Sequence, residues 1–189
     1  GFPGEVGGVL RDYSQWYPLD RATLAFGYGF SVTALQLAQA YSVIAAEGIY
    51  RPLSLLTASQ RVEPTSVISP QTAIEVRKMM RQVVQPRGTG YRAAVEGYDV
   101  AGKTGTARKA VGGGYAEDRY VSVFAGMVPA DLPRLVAVVV IHEPKAGKFY
   151  GGEVAAPIFS RIMSGALRQL NVAPTLNSDT HTEQKGSEV

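Results

Sequence analysis

Apolar residues follow two different periods along this chain, and the change falls near its middle. Between Val32 and Val84 they recur every three or four positions; between Asp99 and Pro144 they alternate every second position. These are the repeats of helix and strand. A first helix is predicted from Val32 to Glu47. Leu37, Tyr41 and Ile44 recur at helical spacing with Ala38 and Ala45 beside them, Thr33 and Gln36 have capping-box spacing, and Gly48 stops the run. A second is predicted from Pro70 to Val84, with Ser69 as N-cap and Pro70 in the first position. Its apolar face reads Ala73, Val76, Met80 and Val83, and Arg77, Lys78 and Arg81 take the other side. A third, from Val154 to Leu170, carries Ile158, Ile162, Ala166 and Leu170 on one stripe, with Pro157 in its first turn.

The alternating region predicts strands in "DVAGKTGTAR", "RYVSVFAGMVPA" and "RLVAVVVIHEP". The short turn "PADLPR" makes the last two an antiparallel pair, and the glycine-rich "VGGGYAED" links the first to the second. "IYRPLSLLTAS" and "RVEPTSVIS" predict short strands or extended loops, limited by Pro52 and Pro64. Turn residues interrupt residues 1–20, which read as irregular, and "KAGKFYGGEV" reads as a loop. Residues 1–172 form one domain, and 173–189 a polar tail too poor in apolar residues to fold. The fold class is α+β: an antiparallel sheet flanked by helices, not a doubly wound parallel sheet.

Composition narrows the chemistry. The 189 residues carry a net charge of +3, with no block of like charge reaching five residues, so no nucleic-acid surface is expected. There is no cysteine, which removes thiol nucleophiles and thiolate metal sites. Two histidines, His142 and His181, are too few for most metal centres, and His142 reads as an ordinary residue at a strand end. No signal peptide or 18-residue apolar span is seen. The opening "GFPGEVGG" has no initiator Met, and the chain is expected to be a segment of something longer.

One stretch carries two incompatible motifs. Gly97–Thr104, "GYDVAGKT", fits the phosphate-cradling pattern G-x-x-x-x-G-K-[ST]. One residue on, Lys103–Thr106 reads "KTGT", a signature of serine acyl-transfer enzymes. A phosphate loop must open a helix, because its N-terminal N–H groups hold the anion. Three glycines stand at 112–114, which leaves too short a helix after Thr104. On the second reading, Lys103–Thr106 lies on an edge strand to which an extended peptide adds as a further strand. Gly105 leaves room for its backbone. Lys103 supplies positive charge, Thr104 and Thr106 supply hydroxyls, and the Thr106 N–H points at a developing oxyanion. A plain solvated strand face remains open at this point.

"GFPGE", "FGYGFSVTALQLAQAYSVIA", "GIYRPLS", "VAGKTGTARK", "VVVIHEP-KAGKFYGGEVAAPIFSRIM" and "ALRQLNV" occur in this order. Over about residues 1–173 the chain resembles the C-terminal part of the division-specific class B penicillin-binding proteins of Gram-negative bacteria, of the FtsI kind. The resemblance implies the penicillin-binding/serine β-lactamase-like transpeptidase fold. It implies a D,D-transpeptidase that cross-links peptidoglycan stem peptides ending in D-Ala-D-Ala at the septum through a serine acyl-enzyme, and that β-lactam antibiotics acylate. It implies no cofactor and no metal, divisome partners, and a periplasmic domain on an inner-membrane protein whose anchor lies outside this chain.

The family's chemistry rests on Ser-x-x-Lys, Ser-x-Asn and Lys-Thr/Ser-Gly. Only the third occurs here; Thr106–Lys109 has the first spacing but overlaps the strand motif. In the family the other two precede "GFPGE", so the nucleophile is expected in another segment of the same domain, and this chain alone is expected to be inactive. By the same resemblance Lys103 and Thr106 are catalytic, and Thr104, Gly105, Thr106 and Arg108 bind the substrate or drug. Tyr28, Phe149 and Tyr150 would wall the pocket, with Tyr115 and Tyr120 as weaker candidates. A non-catalytic peptide- or cell-wall-binding module and a phosphate-loop nucleotide hydrolase are the alternatives.

Overall fold

The computed structural model describes residues 4–54, 63–112 and 114–175. In chain order its elements are α1 (Pro18–Leu24), α2 (Ala34–Ala45), β1 (Ile49–Tyr50), β2 (Thr65–Ser66), α3 (Pro70–Gln82), β3 (Ala101–Val111), β4 (Gly114–Val128), β5 (Leu135–His142), α4 (Gly151–Val154) and α5 (Ala156–Gln169). β3, β4 and β5 form a three-stranded antiparallel sheet in that order, and β1 pairs with β2. The α+β class and the antiparallel sheet agree with the sequence pattern. The parts of "IYRPLSLLTAS" and "RVEPTSVIS" at 55–62, and the tail at 176–189, lie outside the described residues.

Local chemistry sets the helix starts. Thr33 Oγ1 accepts from Gln36 N at 3.1 Å while Gln36 Oε1 accepts from Thr33 N at 2.9 Å, a reciprocal box. Ser69 Oγ accepts from Thr72 N, and Pro70 opens α3. α2 stops at Gly48, whose φ is +89° and where a Cβ would stand 2.0 Å from the Ile68 carbonyl oxygen. Only glycine meets both conditions.

Several expectations are corrected. The N-terminal segment is not wholly irregular: Tyr13–Gln15 form a 3-10 turn, and α1 starts at Pro18, with the Asp20 carboxylate accepting from Tyr17 N. The expected linker "VGGGYAED" is strand from Gly114 onward. "KAGKFYGGEV" is not all loop, because Gly151–Val154 is helical. On α5 the buried stripe is Ala156, Phe159, Met163 and Leu167, while Ile162 and Leu170 are 51% and 57% exposed. The helix carries two adjacent apolar stripes, and the one with the aromatic ring faces the sheet. Arg77 was expected on the outer side of α3 but is only 7% exposed, with Nη1 directed at the Ala45 carbonyl of α2. A long arginine stem packs as an apolar group when its head finds an acceptor.

Each face of the sheet holds its own core. Phe124, Val128 and Val139 meet Phe159, Met163 and Leu167 of α5 on one side. Met127 and Ala101 meet Met80 of α3 on the other, with Tyr41, Ile44 and Ala45 of α2 against them. Arg81 bridges Asp99, just before β3, and Asp131 in the β4–β5 turn. At the chain's other end Thr175 N donates to Gly97 O at 2.9 Å, and the Tyr98 hydroxyl donates to Val172 O.

The β3–β4 register shifts between Arg108 and Ala110, leaving Lys109 and residues 116–119 outside the ladder. Lys109 Nζ donates to Glu143 at the end of β5, and that bond, ahead of the charges of Arg119 and Lys145, lowers the Glu143 pKa from its ordinary 4.5. A lowered folded pKa means that the folded state binds fewer protons. The stabilisation is therefore present above the ordinary value and is lost as pH falls through the lowered one. Thermal unfolding followed from about pH 6 down to about pH 3 should show Glu143→Gln losing less stability on acidification than the unsubstituted protein; equal losses would show that the pair contributes nothing.

Candidate functional site

β3 is the edge of its sheet among the described residues. Its two threonines suit a pleated, half-covered surface. The register pairs Lys103 with Ala125, Thr104 with Phe124, Gly105 with Val123 and Thr106 with Ser122. Side chains of a strand alternate between faces. Thr104 and Thr106 therefore lie on the face that α4 and α5 cover, and Lys103 and Gly105 on the opposite one.

The threonine face is closely built. Thr106 Oγ1 accepts from Gly151 N at 3.0 Å, and the buried Ser122 donates to the Phe149 carbonyl. Two neighbouring strand residues thus hold segment 149–151 against the sheet. The Thr106 hydroxyl accepts in this bond, so its own hydrogen stays available to a ligand. Thr104 Oγ1 lies 3.2 Å from Thr89 Oγ1, and that pair has a spare hydrogen too. Beside them opens a cavity of about 390 Å³ lined by Thr89, Tyr91, Arg92, Thr104, Thr106, Tyr150, Gly151, Gly152 and Glu153.

On the other face Lys103 is exposed, and its Nζ donates to the Thr104 carbonyl at 2.9 Å. Of the remaining candidates, Tyr150 lines the cavity at 59% exposure, and Phe149 stacks on Tyr120 at 4.1 Å between ring centroids. Arg108 pairs with Tyr120 in the register, on the threonine face but further along the strand. Tyr28 is not at the cavity; it meets Tyr115 of the β3–β4 hairpin edge-on, with ring centroids 6.0 Å apart. The described residues hold no cluster of three or more His, Asp or Glu able to take a metal. No helix among them is long and apolar enough to cross a membrane.

The phosphate-loop reading fails on this geometry. Lys103 and Thr104 sit inside an 11-residue strand, not at the start of a helix. Gly102, the glycine before the lysine, is needed for packing: a Cβ there would stand 2.5 Å from the Phe124 ring.

Thr89, Tyr91, Arg92 and Glu153 escaped the sequence reading. "RGTGYRAA" signals only the end of a helix, and "GGEV" reads as a loop; tertiary packing alone brings them to Thr104.

Glycine at 151 follows from the close approach of α4 to the sheet. A Cβ there would lie 2.3 Å from the Val123 carbonyl oxygen and 2.5 Å from that of Gly105. Both obstacles are backbone, so the 149–151 segment has to move. Gly151→Ala is expected to cost about 1–3 kcal/mol in denaturant unfolding, and to shift the Gly151 N–H away from Thr106. An unchanged unfolding midpoint would show that the segment is looser than the packing implies.

Known proteins are similar to this chain in sequence and in fold. Residues 1–164 match the penicillin binding protein transpeptidase domain. The chain is 45% identical over 175 residues to the probable peptidoglycan D,D-transpeptidase PenA of Neisseria gonorrhoeae, covering 93% of this chain and 30% of that protein. It is 44% identical over 174 residues to the peptidoglycan D,D-transpeptidase FtsI of Escherichia coli K12, covering 92% of this chain and 30% of that protein. It superposes with a TM-score of 0.86 and 45% identity on the apo transpeptidase domain of penicillin-binding protein 3 from Burkholderia pseudomallei, covering 94% of this chain and 54% of that one. The chain thus spans less than a third of the length of these two curated relatives. The family match over 164 residues, the shared sheet and the Lys103–Thr106 edge strand agree: the chain belongs to the penicillin-binding protein transpeptidase domain family.

Proposed function

We propose that this chain is part of a peptidoglycan D,D-transpeptidase that cross-links stem peptides during septal wall synthesis. The supporting observation is the edge of β3, where Lys103 is exposed on one face, and Thr106 and the Thr89–Thr104 pair keep hydroxyl hydrogens available on the other. An extended peptide ending in D-Ala-D-Ala adds to this edge as a further strand. The Thr104 and Thr106 hydroxyls take its carboxylate, and the Thr106 N–H forms half of an oxyanion hole. Gly105 gives room, and Arg108 adds positive charge. Lys103 stabilises the charge that develops during acylation. Phe149 and Tyr150 wall the cleft, and Tyr28 braces the hairpin beside it.

The nucleophilic serine, its lysine and the second-motif serine belong to the remaining segment of the domain. β-Lactams enter the same site as imitations of D-Ala-D-Ala. On this reading residues 1–172 are the domain portion and 173–189 a polar tail. The complete protein is anchored in the inner membrane, faces the periplasm and works with divisome proteins, using no cofactor and binding no nucleic acid. The test is turnover of a stem peptide by the complete protein. Release of D-alanine with formation of a cross-linked dimer, abolished by penicillin, is expected. Peptide binding without D-alanine release would instead favour a non-catalytic wall-binding module.

A further inference from the structure

Packing alone does not call for a hydroxyl at Ser122. Alternate residues of a strand share a face, and Phe124 and Val128, on the same face of β4, belong to the apolar core. Ser122 itself is 0% exposed, so it meets no ligand, and with Arg77 it makes up the buried polar residues among those described. An alanine would fill the position as well. What the hydroxyl adds is its bond to the Phe149 carbonyl. Phe149 is thereby held at two points, since its ring stacks on Tyr120. Two residues on, Gly151 N donates to Thr106 Oγ1 at 3.0 Å, and Thr106 is the register partner of Ser122. Segment 149–151 is therefore pinned by one hydroxyl from each of two paired strand residues. The two bonds differ in sense: Ser122 donates, whereas Thr106 accepts. A hydroxyl that accepts an N–H turns its own hydrogen elsewhere, and Thr106 opens on the cavity.

We propose that Ser122 is a positioning residue for acylation. By fixing the Phe149 carbonyl it keeps the Gly151 N–H on Thr106, and that accepted bond aims the Thr106 hydroxyl hydrogen at the carboxylate of the peptide or drug. Without the Ser122 hydroxyl the Phe149 carbonyl loses its donor, and the segment shifts to find another. The Gly151 N–H then leaves Thr106, whose hydroxyl is free to turn away from the ligand. Ser122 touches neither the substrate nor the reacting atoms. It acts through two backbone groups and one side chain. The inference deepens the transpeptidase reading and rests on it for the role of Thr106.

The test compares acylation rates of the complete protein by benzylpenicillin and by its methyl ester, followed by mass spectrometry. The ester has no carboxylate for Thr106 to hold, so it reports on everything else in the site. Ser122→Ala should slow acylation by the drug about threefold to tenfold, the weight of one hydrogen bond, and leave that by the ester unchanged. Combined with Thr106→Val it should cost no more than Thr106→Val alone, because both changes act through one hydroxyl. Ser122→Cys keeps the shape with a weaker donor and should fall between serine and alanine. It replaces the alanine variant if thermal unfolding shows the latter to be misfolded. Equal slowing of drug and ester, or additive losses in the double variant, would overturn the proposal and leave Ser122 a structural residue. Unchanged rates with both compounds would overturn it as well. Acylation of the unsubstituted protein separates the two levels. If penicillin acylates it and Ser122→Ala keeps the same ratio of drug to ester rates, this inference alone falls; if penicillin does not acylate it, the transpeptidase reading falls and takes the role of Ser122 with it.

Discussion

Lys103→Ala in the complete protein is expected to slow acylation by penicillin about 10²–10³-fold, the range seen when one preorganised charge-stabilising group is removed from an acyl-transfer site. The stability of the fold should scarcely move. Lys103 is exposed, and among the described residues its Nζ makes only the 2.9 Å bond to the Thr104 carbonyl. Surface changes of this sort stay within about 0.5 kcal/mol. Loss of rate with retained stability therefore separates a chemical role from a structural one. Only interactions that strengthen in the transition state raise the rate, so the loss should appear in the acylation rate constant more than in initial binding. Unchanged acylation kinetics would remove Lys103 from the site.

Phe124→Ala is expected to be the most destabilising single change, at about 3–5 kcal/mol. Phe124 is fully buried, and its ring lies 4.8 Å from that of Phe159. The surroundings cannot collapse into the gap. Cβ atoms at Gly90, Gly102 and Gly126 would stand 2.8, 2.5 and 2.9 Å from the Phe124 ring, so the ring is lined by residues without side chains to rearrange. The cost therefore falls toward the upper end of the range. Because Phe124 is the register partner of Thr104, the loss should also slow acylation. Denaturant unfolding should show a lower midpoint with an unchanged slope; a shift worth less than about 1 kcal/mol would contradict this packing.

What the sequence made legible follows from range. Caps are local: Thr33 with Gln36, and Ser69 before Pro70, lie within one turn and were found with their helices. The strands were found because alternation is local as well, and the Lys103–Thr106 motif because its four residues are contiguous. Apart from α1 and the start of β4, which are local and were read as irregular chain and linker, the failures are matters of distance along the chain. The third helix carries two apolar stripes, and the sheet residues Phe124, Val128 and Val139, well before it in the chain, decide for Phe159 over Ile162. Arg77 looked like a surface cation until α2 placed the Ala45 carbonyl beside it. Gly151–Gly152 read as part of a loop, whereas the glycines are there because the Val123 and Thr89 carbonyl oxygens approach within 2.3 and 2.0 Å of where Cβ atoms would be. The cavity shows the same limit, since Arg92, Thr104 and Glu153 share no local pattern.

The central claim is that Lys103–Thr106 is one wall of a site whose nucleophile lies in another segment. Peptide mapping by mass spectrometry of the complete protein after reaction with penicillin tests it most directly. The expected adduct is on a serine outside residues 1–189, and the isolated 189-residue chain should give none. An adduct on any of the serines between Ser14 and Ser187, or no adduct on the complete protein, would contradict it.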